Sequence, residues 1–261
     1  MDDKPDLKTY DLLIINSSSG KDSQSALDVV CCAAATLGIL DRVHVVHAVL
    51  EEEWEGTVEL VSAQAAHYGV PVHYVKRSQG SLLDHIRRRG KWPSSQARYC
   101  TSDHKRAQVS KLITALARQH PHPRPRILNC LGIRAAESPA RAKKQPFALD
   151  ARQTNGRKHV DIWYPIFYWS LEQVWETIRK AGTPVHPAYA LGMPRLSCCF
   201  CVFAPKSALI LAGKHNRALL ERYVEVERAI GHQFRNDLAI ADILSAVERG
   251  EAPGEIRSWE L

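Results

Sequence analysis

A doubly wound α/β fold is what this sequence predicts: a largely parallel five-stranded sheet, helices on both faces and a C-terminal helical tail. Three observations carry the prediction. Apolar, β-branched runs recur at residues 12–15, 43–50, 70–75, 127–133 and 160–166. Stretches with helical spacing of apolar residues separate them, at 23–37, 57–68, 102–119 and 171–181. The chain, at 261 residues, is long enough for one substantial core and an appendage. Strands alternating with helices form βαβ units, and such sheets bind ligands beyond the carboxyl ends of their strands.

The first run, Leu12-Leu13-Ile14-Ile15, is apolar at every position, as a parallel strand covered on both faces requires. Helical spacing takes over from Ser23. The segment HPHPRPR, residues 120–126, is a connection, because its prolines cannot continue a helix. Residues 143–158 read as a long polar loop of the kind that often carries function. From Pro205 onward SALILAG, ALLERYVEVERAIG and AIADILSAVERG are helical patterns. No internal repeat or low-complexity segment is present.

Composition narrows the class. Apolar residues make up 45% and charged residues 24%, which is ordinary for a globular protein. No run of about 18 apolar residues occurs, so no membrane span is expected. The acidic start, Met1-Asp2-Asp3-Lys4, leads into no long apolar region, so the reading expects no signal peptide and a cytoplasmic protein. Net charge is +7, with basic clusters at residues 87–91, 141–144 and 157–158, which favours anionic partners. For any one cluster a solvated face is the commoner explanation. Seven cysteines make a disulfide framework improbable in that compartment. Cys31, Cys32 and Cys130 sit in apolar surroundings as core residues, whereas Cys100, Cys198, Cys199 and Cys201 lie among polar residues and turn formers.

The junction after the first strand reads NSSSGKDSQSAL, residues 16–27. A plain strand-to-helix turn needs one glycine or one capping residue, not this set. Backbone N–H groups from Ser18 to Ser23 can form an anion-binding nest, backed by the helix N-terminus. Lys21 supplies a point charge for phosphate. Asp22 would repel a bare phosphate, which suggests a magnesium-bridged nucleotide. The spacing fits neither a Walker loop nor a dinucleotide fingerprint. A helix start capped by Asp22 or Ser23 is the competing explanation.

The stretch closely resembles the SGGxDS signature of the PP-loop ATP pyrophosphatase (adenine nucleotide alpha-hydrolase-like) superfamily. Ser18, Gly20, Lys21, Asp22 and Ser23 match, and Ser19 replaces a glycine, a mild departure if its dihedrals are ordinary. RYCTSDHK (98–105), GIRAAESPARAKK (132–144), the block from Pro165 to Cys201 and EWEGT (53–57) resemble elements of its phosphoadenosine phosphosulfate (PAPS) reductase-like branch, in order over residues 12–204. The resemblance implies a Rossmann-like domain over residues 1–204, with a cysteine loop at 194–204 and a helical extension over 205–261. It implies ATP with Mg2+ at Ser18, Ser19, Gly20, Lys21, Asp22, Ser23, Glu53 and Gly132. Charge-neutralising or substrate-contacting roles are implied for Lys21, Asp22, Lys105, Arg134 and Arg141. Surface ion pairing with residues such as Glu137 is the alternative for Arg134 and Arg141, an exposed helix face for Lys105 and a solvated acidic run for Glu53.

Two departures bear on activity. True PAPS reductases carry a C-terminal cysteine in an ECGLH-like motif, whereas this sequence ends EIRSWEL with Cys201 as its last cysteine. They also alter the lysine-aspartate pair that is intact here. ATP cleavage to AMP and pyrophosphate, adenylylating an acceptor, is therefore the expected activity. The C-x-x-C of Cys198 and Cys201 can face one soft metal. By resemblance Cys100 joins them to hold a [4Fe–4S] cluster, with Cys199 as a candidate fourth ligand; zinc is second and a redox-active pair third. Sulfur transfer to nucleic acid then follows from precedent in this branch. The other two readings are a sulfonucleotide reductase and an ATP-binding accessory subunit of a nucleic-acid complex. A protein partner or homodimer is compatible with all three.

Overall fold

The computed structural model of the chain describes residues 4–259. Met1, Asp2 and Asp3, where the absence of a signal peptide was read, lie outside the described residues, as do Glu260 and Leu261 of the final motif. The chain divides into two compact units. Among the described residues, one comprises 4–48, 56–75 and 108–186, the other 49–55, 76–107 and 187–259.

The first unit holds the sheet. Its strands are β1 (Leu12–Asn16), β2 (Val43–Ala48), β3 (Val72–Val75), β4 (Arg126–Leu131), β5 (Phe147–Leu149) and β6 (His159–Trp163). They lie in the order β3-β2-β1-β4-β6-β5, all parallel except β5 against β6. The sheet thus has six strands, not the expected five. The additional one, β5, falls inside the stretch read as polar loop. Three residues carry no periodicity, and β5 is defined only by its antiparallel pairing, Phe147 opposite Trp163. The parallel, two-faced sheet is otherwise as predicted.

Helices α1 (Lys21–Thr36), α2 (Thr57–His67), α5 (Ala107–Gln119) and α7 (Leu171–Ala181) cover the sheet, with the short α6 (Pro139–Ala142) after β4. The apolar run of β1 sends Leu13 and Ile15 into a core with Leu27 and Val30 of α1. Leu12 and Ile14 point the other way, to Val109 and Ile113 of α5. Each such buried side chain contributes about 1.5–3 kcal/mol, so the strand is anchored from both sides. A capping box between Ser170 and Gln173 starts α7, whose Val174 and Ile178 pack on Ala26 of α1.

The second unit is helical: α3 (Leu82–Arg89), α4 (Tyr99–Thr101), a π-helical turn (Ser102–Arg106), α8 (Lys206–His215), α9 (Arg217–Ile230) and α10 (Ile240–Glu248). Its core gathers Trp92, Phe200, Tyr223 and Phe234 with the apolar faces of α8, α9 and α10. A Ser81–Asp84 capping box opens α3 and Gly90, at φ 63°, closes it. Among the described residues no helix is long and apolar enough to cross a membrane.

Candidate functional site

The sheet order reverses between β1 and β4, because the chain leaves β1 for β2 on one side and later adds β4 on the other. A crevice at such a reversal is where open α/β sheets bind ligands. The Ser17–Ser23 loop leaves β1 there. Asn16 ties its base to β4, donating its amide to Asn129 Oδ1 at 2.6 Å and to the Cys130 carbonyl at 3.0 Å.

Ser19 takes φ 54°, the one non-glycine residue in the left-handed region among the described residues. Its dihedrals are therefore not the ordinary ones on which a mild substitution depends. A side chain there costs about 1 kcal/mol that a glycine would not. The loop also uses some of its own donors. Ser18 N–H donates to Ser23 Oγ at 3.1 Å, Ser19 N–H to Ser17 Oγ at 3.3 Å, and Ser23 Oγ donates to the Gly20 carbonyl at 2.8 Å. The expected nest thus narrows to the first turn of α1, whose N–H groups lack acceptors within their own helix.

Asp22 is not an isolated anion. Its Oδ2 lies 3.1 Å from Lys21 Nζ and its Oδ1 accepts from Arg134 Nε at 2.6 Å. Burial works to raise its pKa, but Lys21 and Arg134 outweigh burial and hold the carboxyl below its ordinary range. Arg134 also donates Nη1 to the Trp169 carbonyl at 3.4 Å, and its backbone N–H donates to Glu137 Oε2 at 3.0 Å. Glu137 pairs in turn with Arg141. The ion pair with Glu137 therefore holds for Arg141, whereas the buried Arg134 side chain turns to Asp22. Two cations to one anion, beside a helix N-terminus, leave a positive site suited to polyphosphate. Gly132 shows why it is a glycine: a Cβ would stand 2.4 Å from the Asp22 carbonyl oxygen and 2.6 Å from Ser23 N.

The cysteines belong to the second unit. Cys100 lies in α4, and the π-turn that follows carries Lys105 to within 3.8 Å of Glu53. Glu53, expected at the nucleotide, is thus in this unit, with Lys105. Burial acts to lower the Lys105 pKa, but the facing Cys198, Glu53, Cys100 and Cys201 raise it above its ordinary value. Burial pushes the Cys198 and Cys201 thiols up, with Lys105 opposing in both. Cys199 is buried in the core and donates its N–H to the Glu52 carbonyl at 2.9 Å. Among the described residues, no three His, Cys, Asp or Glu side chains are grouped to hold a metal ion in this arrangement. The donor set is nevertheless all sulfur, which suits iron–sulfur or zinc rather than magnesium, and its three thiols act on one lysine. Loading would release their protons and draw the sulfurs together.

The sequence reading missed α3, the π-turn and the Asp22–Arg134 pair. Only α3 carried a local signal, the serine and aspartate of its capping box.

Residues 13–204 match the family described as phosphoadenosine phosphosulfate reductase domain. An uncharacterized 37.8 kDa protein of Escherichia phage 186 is 31% identical over 136 residues, 52% of this chain and 39% of its own length. Adenosine 5'-phosphosulfate reductase of Allochromatium vinosum is 27% identical over 168 residues, 62% of this chain and 57% of its own. The chain thus spans less than two thirds of these relatives' lengths. In fold it is similar to phosphoadenylyl-sulfate reductase of Candida auris, with a TM-score of 0.50 at 17% identity, covering 74% of this chain and 84% of that one.

Proposed function

The chain belongs to the phosphoadenosine phosphosulfate reductase domain family, and from that premise we propose that it is an ATP-using enzyme. In this reading it cleaves ATP with Mg2+ to AMP and pyrophosphate, adenylylating an acceptor for sulfur transfer to nucleic acid. The observation that carries it is the Lys21–Asp22–Arg134 arrangement at the β1/β4 reversal. Arg134 and Lys21 leave net positive charge at the first turn of α1, whose N–H groups have no acceptor within their own helix. An oxygen of the acceptor attacks the α-phosphorus, the bond to the oxygen bridging toward the β-phosphorus breaks, and pyrophosphate departs with the electron pair. Charge grows on the leaving oxygens, so cations already held in place stabilise the transition state most. Arg141 joins them if it exchanges Glu137 for phosphate. Sulfide then forms its bond to the activated atom as the bond to AMP breaks, and its proton goes to solvent.

Cys100, Cys198 and Cys201 would hold a [4Fe–4S] cluster, which when bound supplies an iron that can carry sulfide; zinc, with Cys199 as a further thiolate, is the alternative. Lys105 gives the thiolates a counter-charge.

Pyrophosphate release from Mg-ATP by wild type, lost in Asp22→Ala and Arg134→Ala, is the expected result. Wild-type turnover equalled by Asp22→Ala overturns it. The likeness to adenosine 5'-phosphosulfate reductase favours a second reading, sulfonucleotide reduction. Sulfite release from a sulfonucleotide without ATP cleavage would establish that one instead. ATP binding without turnover would mark an accessory subunit.

A further inference from the structure

The second unit contains a cavity of about 460 Å³ lined by Arg89, residues 91–95, Ala97, Tyr99 and residues 202–203 and 232–237, none of them assigned above to ATP. Its frame is fixed. Trp92 donates its indole N–H to the His232 carbonyl at 2.9 Å, stacks on Tyr223 and meets the Phe234 ring edge-on. Arg235 donates to the Ala204 carbonyl at 2.6 Å and makes two bonds, each 3.1 Å, to Asp237. That pairing neutralises Asp237, the one carboxylate in the lining.

What remains is positive. Arg89 and Lys91, both exposed, have no carboxylate within ion-pair distance among the described residues; Arg89 lies over the Tyr99 ring at 4.5 Å. The cations continue past the cavity. Arg88 is exposed on the last turn of α3 beside Arg87, which pairs with Asp84 at 3.7 Å, and Arg98 lies 5.2 Å over the Phe203 ring. A cavity of this volume holds one small organic group rather than a bare ion. Cations strung along the rim, with aromatic rings inside, match successive phosphates with a base between them.

We propose that this cavity takes one nucleotide of a single-stranded nucleic acid while the basic run of α3 follows its backbone. The inference deepens, and rests on, the reading of nucleic acid as acceptor. Tyr99 and Val202 line the cavity and adjoin Cys100 and Cys201 in sequence, so a bound strand lies beside the cysteine segments.

Fluorescence anisotropy with a labelled oligothymidylate, without ATP, tests it. Wild type binds, and Arg89→Ala with Lys91→Ala weakens binding roughly tenfold and lowers the slope of log affinity against log salt by about 1.4. Arg179→Ala with Lys180→Ala, the same loss of charge on exposed α7 positions, changes neither. No wild-type binding, or equal weakening in both double variants, overturns the proposal. AMP competing as tightly as the oligonucleotide also overturns it, because the occupant is then a free nucleotide. A protein that binds the strand site-specifically but releases no pyrophosphate keeps this inference and removes the adenylylation reading.

Discussion

Arg134 Nε donates to Asp22 Oδ1 at 2.6 Å, joining residues 112 apart in sequence across the reversal in strand order. Neither residue is explained alone. A carboxylate beside a phosphate site is repulsive, and a buried guanidinium without a partner is costly. Together with Lys21 they form a site of net positive charge whose geometry is set before a ligand arrives. Arg134→Ala should lower pyrophosphate release about 100-fold or more, and Arg134→Lys should restore little, since an ammonium cannot reproduce the guanidinium's planar fork. A double-mutant cycle with Asp22→Ala, read by urea unfolding, should return a coupling of about 1–3 kcal/mol. A coupling near zero would mean the pair is incidental.

Gly132→Ala tests the close approach of β4 to α1. The added methyl meets backbone atoms of Asp22 and Ser23, which cannot rotate aside as a flexible side chain can. The expected cost is about 1–3 kcal/mol of stability, with weakened ATP binding because the first turn of α1 must shift. Calorimetric unfolding and ATP titration check both, and an unchanged protein would show that the strand end can yield freely.

Ser19→Gly should act in the opposite direction. It relieves a left-handed φ of 54° and removes a buried hydroxyl that has no hydrogen-bond partner among the described residues. Glycine's greater freedom in the unfolded chain offsets part of the gain. A net stabilisation of about 1 kcal/mol is expected, with ATP binding retained. A fall in Tm would indicate that the hydroxyl has a role the strain argument overlooks.

His104 provides a pH prediction. It is buried on the π-turn with its Nε2 3.1 Å from Nδ1 of His85. Burial, then the charges of Arg77 and His85, lower its pKa from 6.5 to about 4. Between those values the unfolded chain binds a proton that the folded chain refuses, so stability falls as pH drops through that window. The loss should reach roughly 2–3 kcal/mol by pH 4 and shrink in His104→Gln. Urea unfolding across this range decides it, and equal slopes for both proteins would assign acid sensitivity elsewhere.

The sheet was legible because residues 12–15 of β1 are apolar without a break, a pattern dictated by burial on both faces. The loop was legible because serines, glycine, lysine and aspartate together exceed what a turn needs. Arg134's partner was not, since no local pattern records a contact formed only when β1 and β4 become neighbours. The strand β5 escaped for the same reason, as pairing with β6 defines it. The left-handed Ser19 was hidden because side-chain identity reports a preference for φ, and serine has little for this region.

The cysteines give the last prediction. Cys100, Cys198 and Cys201, once ionised, share Lys105 as a counter-charge, whereas Cys199 is packed in the core with its N–H on the Glu52 carbonyl. Anaerobic reconstitution should load iron and sulfide into wild type and not into Cys100→Ala, Cys198→Ala or Cys201→Ala. Cys199→Ala should load as wild type does while losing about 1 kcal/mol of stability from the core. Because burial keeps the Cys198 and Cys201 thiols protonated, loading must expel protons, and apparent affinity should rise with pH. Iron retained in Cys198→Ala would exclude this thiol set. Zinc alone, lost equally in Cys199→Ala, would make four thiolates the binding set, and the sulfur-transfer reading would lose its metal.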